Sequence, residues 1–587
     1  MIDRVLITTT DERSWPDNSE RVLFLGTWCV KNNRKHAWSK FNFKVADPYG
    51  ISKQQKKNDK EYIVKLIEKI TFDLKGELNR YHGTNYSERY WNIITGHWLQ
   101  RHIKVIFNRY KLIESILTKN LVNRMIKIEE EEFNFIAEDG INYVRRLSDD
   151  NWNHNLYIEL LKYFPNNNIK IIEKYIDHPN RGNNKKKYKS YKHYIKKTLN
   201  FSRFFFKNTD ALILDTYLSR KEAFKLFFFL GQLPVYYNFD IGYCKQNSII
   251  TSKRSDFLCA NDSYTGVEFA IRDLVKKMIP SCYLEGYKSI HDNLKRVQLP
   301  KQPKFIFTSN AFAFNEYFKF WTADKVENGV PYYIGQHGSN YGTLKGSEVW
   351  PEIKTCDIFF SWGWDRVYKV KTKRSFNFKI ANEKQLFDPK GGGLLVERGP
   401  GHPSVPQDHY YEHILYQKYV FKFYENIESN IKNKITVRLH HGSSELGASD
   451  VYLWNKEYPN TNIDDYSLPL KKLIQKSRLV IFSYECSGFL ECMALNIPTI
   501  CFWRGGLDHL FDDAADHYKM LENVGIFTNK AEVAASYVNI YWEDLDEWWN
   551  SRPVQEARIE FCSHYSRVVK NPTKILASML LEDKEIL

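Results

Sequence analysis

Short runs of apolar residues alternate along this chain with longer stretches in which apolar residues recur at every third or fourth position. Apolar runs of that length predict strands and the longer period predicts helices, so the alternation reads as α/β architecture with largely parallel sheets. Arg4–Thr8 and Val22–Leu25 are early strands. From Tyr62 to Arg80, the residues Ile63, Leu66, Ile67, Ile70, Leu74 and Leu78 mark one face of an amphipathic helix that Gly83 stops. A second helix runs from Glu88 to Leu117. Strand patterns return at Ala211–Leu214, Lys304–Thr308, Tyr332–Gly335 and Asp357–Ser361, and these four read as one sheet.

Between Lys369 and Lys390 the pattern turns polar and aperiodic, and a new strand begins at Leu394. The expected division is an N-terminal α/β domain over 1–385, with helical insertions at about 57–207, and a C-terminal α/β domain over 386–587. The second domain reads as strand, helix (Tyr410–Ile427), strand (Ile435–Leu439), helix (Leu468–Lys476), strand (Leu479–Ser483), helix (Ser487–Leu495) and strand (Thr499–Phe502). Two consecutive domains of this kind imply a cleft where the carboxyl ends of their strands face a shared ligand.

Composition narrows the class without naming a substrate. The 587 residues are 43% hydrophobic, too apolar for a disordered chain. Nine scattered cysteines without a C-x-x-C pair argue against a zinc ribbon and for a reducing compartment. The first residues lack the pattern of an export signal, and no apolar stretch is long enough to span a bilayer, so a cytoplasmic protein is expected. The net charge of +15 suits an anionic partner, and its densest stretch, Arg181–Lys207, mixes lysines with aromatic residues. That stretch fits a solvated insertion, a contact with anionic membrane, or a nucleic-acid grip; no recognisable nucleic-acid module accompanies it, and no nucleic-acid partner is expected.

Two segments concentrate candidate chemistry. In SYECSGFLECMALNIPTICFW, Ser483–Trp503, a strand ends at Ser483 and a helix opens near Ser487 and Gly488, where free backbone N–H groups favour a phosphate; Glu491, one turn on, can accept bonds from sugar hydroxyls. In YYIGQHGSNYGTLKG, Tyr332–Gly346, a strand runs straight into Gln336, His337 and Gly338, which places a histidine for proton transfer in a glycine-rich loop. Arg438 and His402 follow strands of the second domain and could pair with a phosphate, with His440 and His441 weaker candidates. Asp11 and Glu88 are acidic candidates on the N-terminal side. Asp464–Asp465 and Asp512–Asp513 read as caps rather than metal ligands, and no metal is expected.

The Ser483–Trp503 segment resembles the donor-binding segment of GT-B glycosyltransferases. Together with TSNAFAFNEYFKFW (Thr308–Trp321), the Gln336–Gly338 loop, LITTTDERSWP (Leu6–Pro16) and HGTNYSERYWNIITGHWL (His82–Leu99), it resembles a family of bacterial transferases from surface-carbohydrate (O-antigen and capsule) gene clusters. More distantly the chain is similar to capsular Kdo transferases and teichoic-acid polyol-phosphate polymerases. The resemblance implies a GT-B-like pair of Rossmann-like, doubly wound domains and transfer of a sugar from a CMP-, CDP-, UDP- or GDP-linked donor to a glycan or lipid-linked acceptor, without an obligatory cofactor. It would give His337 and Gln336 catalytic roles, Ser483, Ser487, Gly488, Glu491, Arg438 and His402 donor-binding roles, and Gly338, Glu88 and Asp11 places on the acceptor side. Polyol-phosphate transfer, sugar-nucleotide epimerisation and nucleic-acid binding stay open as alternatives.

Overall fold

A computed structural model describes residues 3–582 except 18, 120, 130–132, 176–206, 236, 238, 240–253, 255–256, 258–262, 367–370, 402–404, 441–449, 465 and 467. His402, His441 and nearly all of the Arg181–Lys207 stretch lie outside the described residues. The described strands form three all-parallel sheets of five, five and six strands.

The first sheet contains β1 (Val5–Ile7), β2 (Arg21–Phe24), β3 (Asn42–Val45), β4 (Arg124–Glu129) and β5 (Lys170–Tyr175) in the order β3-β2-β1-β4-β5. The second contains β6 (Leu212–Leu214), β7 (Ile306–Thr308), β8 (Tyr332–Gly335), β9 (Ile358–Ser361) and β10 (Lys371–Arg374) in simple succession. The third contains β11 (Gly392–Val396), β12 (Ile435–Arg438), β13 (Asn462–Asp464), β14 (Ser477–Phe482), β15 (Thr499–Phe502) and β16 (Phe527–Thr528) in the order β13-β12-β11-β14-β15-β16. The order reverses direction at β11, which puts a crevice at the carboxyl ends of β11 and β14.

The α/β class and the GT-B-like facing of two Rossmann-like sheets therefore hold for the second and third sheets. The N-terminal half departs from the sequence reading in carrying a complete sheet of its own. Residues 57–207 are not only helical insertions, because β4 and β5 fall within them. Both strands are hard to see: β5 (KIIEKY) is mostly exposed, and β4 (RMIKIE) interrupts its apolar run with a lysine.

Two long helices lie between β3 and β4 in the chain. The Lys53–His82 helix begins well before its apolar stripe because Ser52 caps it, accepting from the Gln55 N–H at 3.1 Å, and the polar turns KQQKKNDK continue it. Gly83, at φ +65, closes it in the left-handed conformation that glycine adopts without strain. The following Glu88–Thr118 helix is buried on several faces: Trp91, Trp98, Ile103, Ile106 and Ile113 are all in the core. It packs against the Glu316–Glu327, Gly266–Met278 and Asp150–Leu161 helices, so it serves as the spine of the N-terminal half. The chain returns from the third sheet after the Arg552–Tyr565 helix, where Arg567 N–H donates to Trp362 O at 2.7 Å and Asn377 N–H donates to Arg567 O at 2.9 Å. Among the described residues no helix is long and apolar enough to cross a membrane.

Candidate functional site

The carboxyl ends of β8 and β14 meet across the cleft. β14 is apolar and buried almost throughout, and its last turn leads through Cys486, in extended conformation, to the Ser487–Ala494 helix. Opposite, β8 ends at Gly335, where a Cβ would lie 2.5 Å from the Phe378 ring and 2.6 Å from Ser309 Oγ, so only glycine fits. The loop after it reaches over until Ser339 N–H donates to Ser487 Oγ at 2.9 Å. A Cβ at Gly338 would sit 3.0 Å from the same Oγ.

Gln336 is buried and its side chain is fully committed. Its Nε2 donates to Gly338 O at 2.8 Å, while its Oε1 accepts from Trp362 N–H and Trp364 Nε1–H, both at 2.8 Å. These bonds make Gln336 a positioning residue instead of the catalytic group expected, and the titratable side chain beside it is that of His337.

His337 heads a buried relay. Tyr341 O–H donates to Glu352 Oε1 at 2.6 Å, and the Tyr341 oxygen lies 3.1 Å from His337 Nδ1. With the phenol proton spent on the carboxylate, Nδ1–H donates to Tyr341, and Nε2 keeps its lone pair. The ring is stacked over Tyr217 at 6.0 Å between centroids and is also flanked by Phe312. Burial, assisted by the nearby Lys379 charge, pushes the imidazole pKa down to about 4, so the ring is neutral at pH 7. Burial likewise raises the Glu352 carboxyl above its ordinary value.

Lys379 ties this loop to the other side of the cleft. Its ammonium lies 3.3 Å from Glu491 Oε1 and 5.2 Å from the centre of the Tyr217 ring. Glu491 is thus placed one turn into the Ser487 helix as expected, with a cationic partner that its sequence surroundings do not reveal. Burial raises its carboxyl pKa, against the opposing pull of Lys379.

A cavity of about 570 Å³ opens at the carboxyl ends of β11, β12 and β14, reaching Tyr484 in the turn that leads to this helix. Arg438 lines it, but its guanidinium is buried, paired with Asp464 and stacked at 3.9 Å on Tyr466. A free phosphate clamp at Arg438 is corrected to a neutralised floor that presents Tyr466. The pairing also replaces the expected cap at Asp464. Glu397 lies in the same wall, bonded by Trp454 Nε1–H at 2.9 Å and Gln417 Nε2–H at 3.2 Å. Burial first, then the nearby Asp450, pushes its pKa up to about 8. Ser483 is fully buried, its Oγ donating to Val396 O at 2.9 Å and lying 2.5 Å from Tyr416 Oη, so it locks β14 to β11 instead of facing a ligand. A Cβ at Gly488 would lie 2.9 Å from the Phe482 ring, so close packing of the helix on β14 requires that glycine.

The acidic N-terminal candidates are not brought to this cleft. Glu88 is exposed in the first turn of its helix, next to Ser87, which bonds Glu327 at the far end of the Glu316–Glu327 helix and thus at the amino edge of the second sheet. Asp11 closes the turn after β1 of the first sheet, where it holds Arg13 at 2.5 Å. Asp512 and Asp513 do not cap their helix; they pair with Lys345 and Arg366 across the cleft. Tyr341, Glu352, Lys379 and Glu397 escape the sequence reading, since nothing local marks a tyrosine or lysine whose partners lie on another element. On outer helices of the third unit, His517, Glu560 and His564 bring possible metal-ligand atoms within 4.8 Å of one another, although His517 Nδ1 already lies 2.7 Å from Asp513 O.

Solved structures with a related fold include MurG of Acinetobacter baumannii, at 11% identity and TM-score 0.30 over 64% of this chain and 99% of that one. The S. aureus MnaA–UDP co-structure matches at 12% identity and TM-score 0.34 over 65% of this chain and 97% of that one. The glycosyltransferase SnogD from Streptomyces nogalater matches at 11% identity and TM-score 0.30, over 64% and 99%. A comparison with curated proteins finds no match. The sequence from residue 4 to residue 580 fits the LIC12162 family of transferases, and with nearly the whole chain matched the protein belongs to that family and is a transferase.

Proposed function

We propose that the protein is a glycosyltransferase that takes a sugar from a nucleotide donor held by the third sheet and passes it to an acceptor hydroxyl beside His337. The observation that carries this reading is the 570 Å³ cavity at the β11/β14 reversal, lined by Tyr484 three residues before the helix start whose Ser487 touches the His337 loop. The base would stack on Tyr466, the phosphates would approach the Ser487 and Gly488 N–H groups, and Glu491 would bond a donor hydroxyl. His337 Nε2 would accept the proton of the attacking hydroxyl. A donor diphosphate near Lys379 offsets the positive charge that, after burial, helps to depress this imidazole, and so raises its basicity on binding.

We assign the product to surface polysaccharide or its lipid-linked precursor on the strength of the sequence resemblance. The seven cysteines of the described residues are all free and buried, which fits work on the reducing, cytoplasmic side. The basic Arg181–Lys207 stretch suits peripheral contact with anionic lipid there.

The test is calorimetric titration with CMP, CDP, UDP and GDP and their sugar conjugates. One nucleotide is expected to bind selectively, with at least tenfold loss in Tyr466→Ala and none in Glu88→Ala. Binding that is indifferent to Tyr466 would remove the donor cavity from the proposal.

A further inference from the structure

A second cavity, of about 540 Å³, separates the two long N-terminal helices from the third sheet. Its charged lining is one-sided: Lys56, Lys60, Lys104, Lys345 and Arg398 face it, with Glu412 as the opposing carboxylate. Glu412 is already divided between Lys56 and Arg504. Lys345 pairs outward with Asp512 at 3.0 Å, and Arg398 donates to Glu412 O at 3.2 Å while stacking on Tyr416 at 4.4 Å.

Lys60 and Lys104 are the informative pair. Lys60 donates to the carbonyl of Lys345 and makes no ion pair among the described residues, the Glu348 charge near it opposing the effect of its burial. Lys104, on the Glu88–Thr118 helix, has neither a hydrogen bond nor an ion pair there. Burial, then the neighbouring Arg101 and Lys60 charges, pushes its ammonium pKa down to about 8. Among the described residues Arg101, one turn earlier, bonds His97 O and no carboxylate, and it covers the Phe314 ring at 4.8 Å. The carboxylate whose charge acts on Lys104, Glu352, makes no ion pair with it and accepts from Tyr341. Gathering cations with so little compensation costs stability, and an anion in the cavity relieves it. Ile63 and Ile67 continue the same helix face beyond Lys56 and Lys60 at three- and four-residue steps, and with Val349 and Trp350 they give the cavity an apolar lining.

We propose that this cavity is a second anion site, built for a phosphate or diphosphate ester whose body lies along the Ile63–Trp350 wall. A diphosphate bridges two ammonium groups and needs no planar fork, which suits lysines better than a single arginine clamp. Leu344 and Gly346 bring the loop after β8 into the lining of the site, which shares no lining residue with the Tyr466 cavity. Calling the ester the acceptor's phosphate rests on the glycosyltransferase reading; the anion site itself does not.

The experiment is calorimetric titration of the full chain with inorganic pyrophosphate, farnesyl diphosphate, glucose 1-phosphate and, as the uncharged control, farnesol. Pyrophosphate is expected to bind, with at least tenfold loss in Lys104→Gln and in Lys60→Gln, retention in Lys104→Arg, and no change in Tyr466→Ala. Circular dichroism of each variant checks that it is folded. Farnesyl diphosphate binding more tightly than glucose 1-phosphate would assign the ester to a lipid carrier, and the reverse order to a free sugar phosphate; both support the site. Equal pyrophosphate affinity in folded Lys104→Gln and wild type, or loss in Tyr466→Ala instead, would overturn it. Nucleotide binding that fails while Lys104-dependent pyrophosphate binding persists would count against the glycosyltransferase reading alone.

Discussion

Ser339 N–H donates to Ser487 Oγ at 2.9 Å, so the loop after β8 is in direct contact with the first residue of the helix that faces it across the cleft. The bond joins the loop after β8 to the helix after β14 and fixes His337 relative to Glu491 without a covalent link. The surrounding seam reinforces it: Thr343 Oγ1 donates to Glu485 at 3.0 Å, and Phe511 N–H donates to Thr343 O at 2.8 Å.

Ser487→Ala should therefore lower stability by about 1 kcal/mol, the usual net contribution of one such bond. Gly338→Ala should be destabilising in the wild-type background, where its Cβ meets Ser487 Oγ at 3.0 Å, and less so once that oxygen is gone. Thermal unfolding of both single variants and the double variant checks the coupling. Additive losses would mean that the loops do not touch in solution.

The relay from Glu352 through Tyr341 makes a separate claim about the protonation of His337. His337→Ala should reduce transfer by about 10²- to 10⁴-fold, the range for loss of a general base. Tyr341→Phe should reduce kcat by about tenfold with KM nearly unchanged, because it removes the group that holds the proton on Nδ1. Nitrogen NMR of labelled His337 should report Nδ1–H in the wild type and a mixed tautomer in Tyr341→Phe. An Nε2–H tautomer in the wild type would refute the relay.

What could be read from sequence divides along a physical line. The central strands of the second and third sheets, the Gly83 stop and the His337 loop were legible because burial on both faces writes continuous apolar runs, and because a strand entering a glycine-rich loop is a local pattern. The edge strands β10 (KTKR, inside the stretch read as polar and aperiodic), β13 and β16 were missed, being short or partly exposed. The first sheet was not legible as a sheet, since β5 is exposed over most of its length and β4 and β5 stand far from β1 in the chain. Pairings over distance were equally hidden. Arg438 looks like a phosphate ligand until Asp464, on the neighbouring strand, is seen to neutralise it. Lys379 belongs to a segment whose polarity reads only as a linker, yet it lies between His337 and Glu491.

Glu397 gives the donor cavity a pH dependence. Its carboxyl pKa is raised to about 8, chiefly by burial, so it is neutral at pH 7 and gains a negative charge as the pH rises through that value. Binding of an anionic nucleotide in the cavity it lines should weaken above pH 8, and Glu397→Gln should flatten the profile. Nucleotide affinity measured from pH 6.5 to 9.5 at constant ionic strength checks this. An unchanged profile in Glu397→Gln would assign the dependence to another group.

Acid should destabilise the fold in a defined window. Burial pushes His82, His102, His154 and His337 down to about 4 each, from an ordinary value of 6.5. These folded-state values lie below the unfolded one, so the stability gained from keeping the rings neutral is fully present above pH 6.5. It is lost as the pH falls towards 4, where the unfolded chain binds protons that the folded chain does not. His102 is the clearest reporter, being buried with Nε2 2.9 Å from Ile271 O and stacked on Trp98 at 5.2 Å. Denaturant midpoints should fall steadily from pH 6.5 to 4.5, and His102→Gln, though less stable at pH 7, should show a shallower decline. A midpoint independent of pH across that range would mean that the imidazoles reach water in the native state.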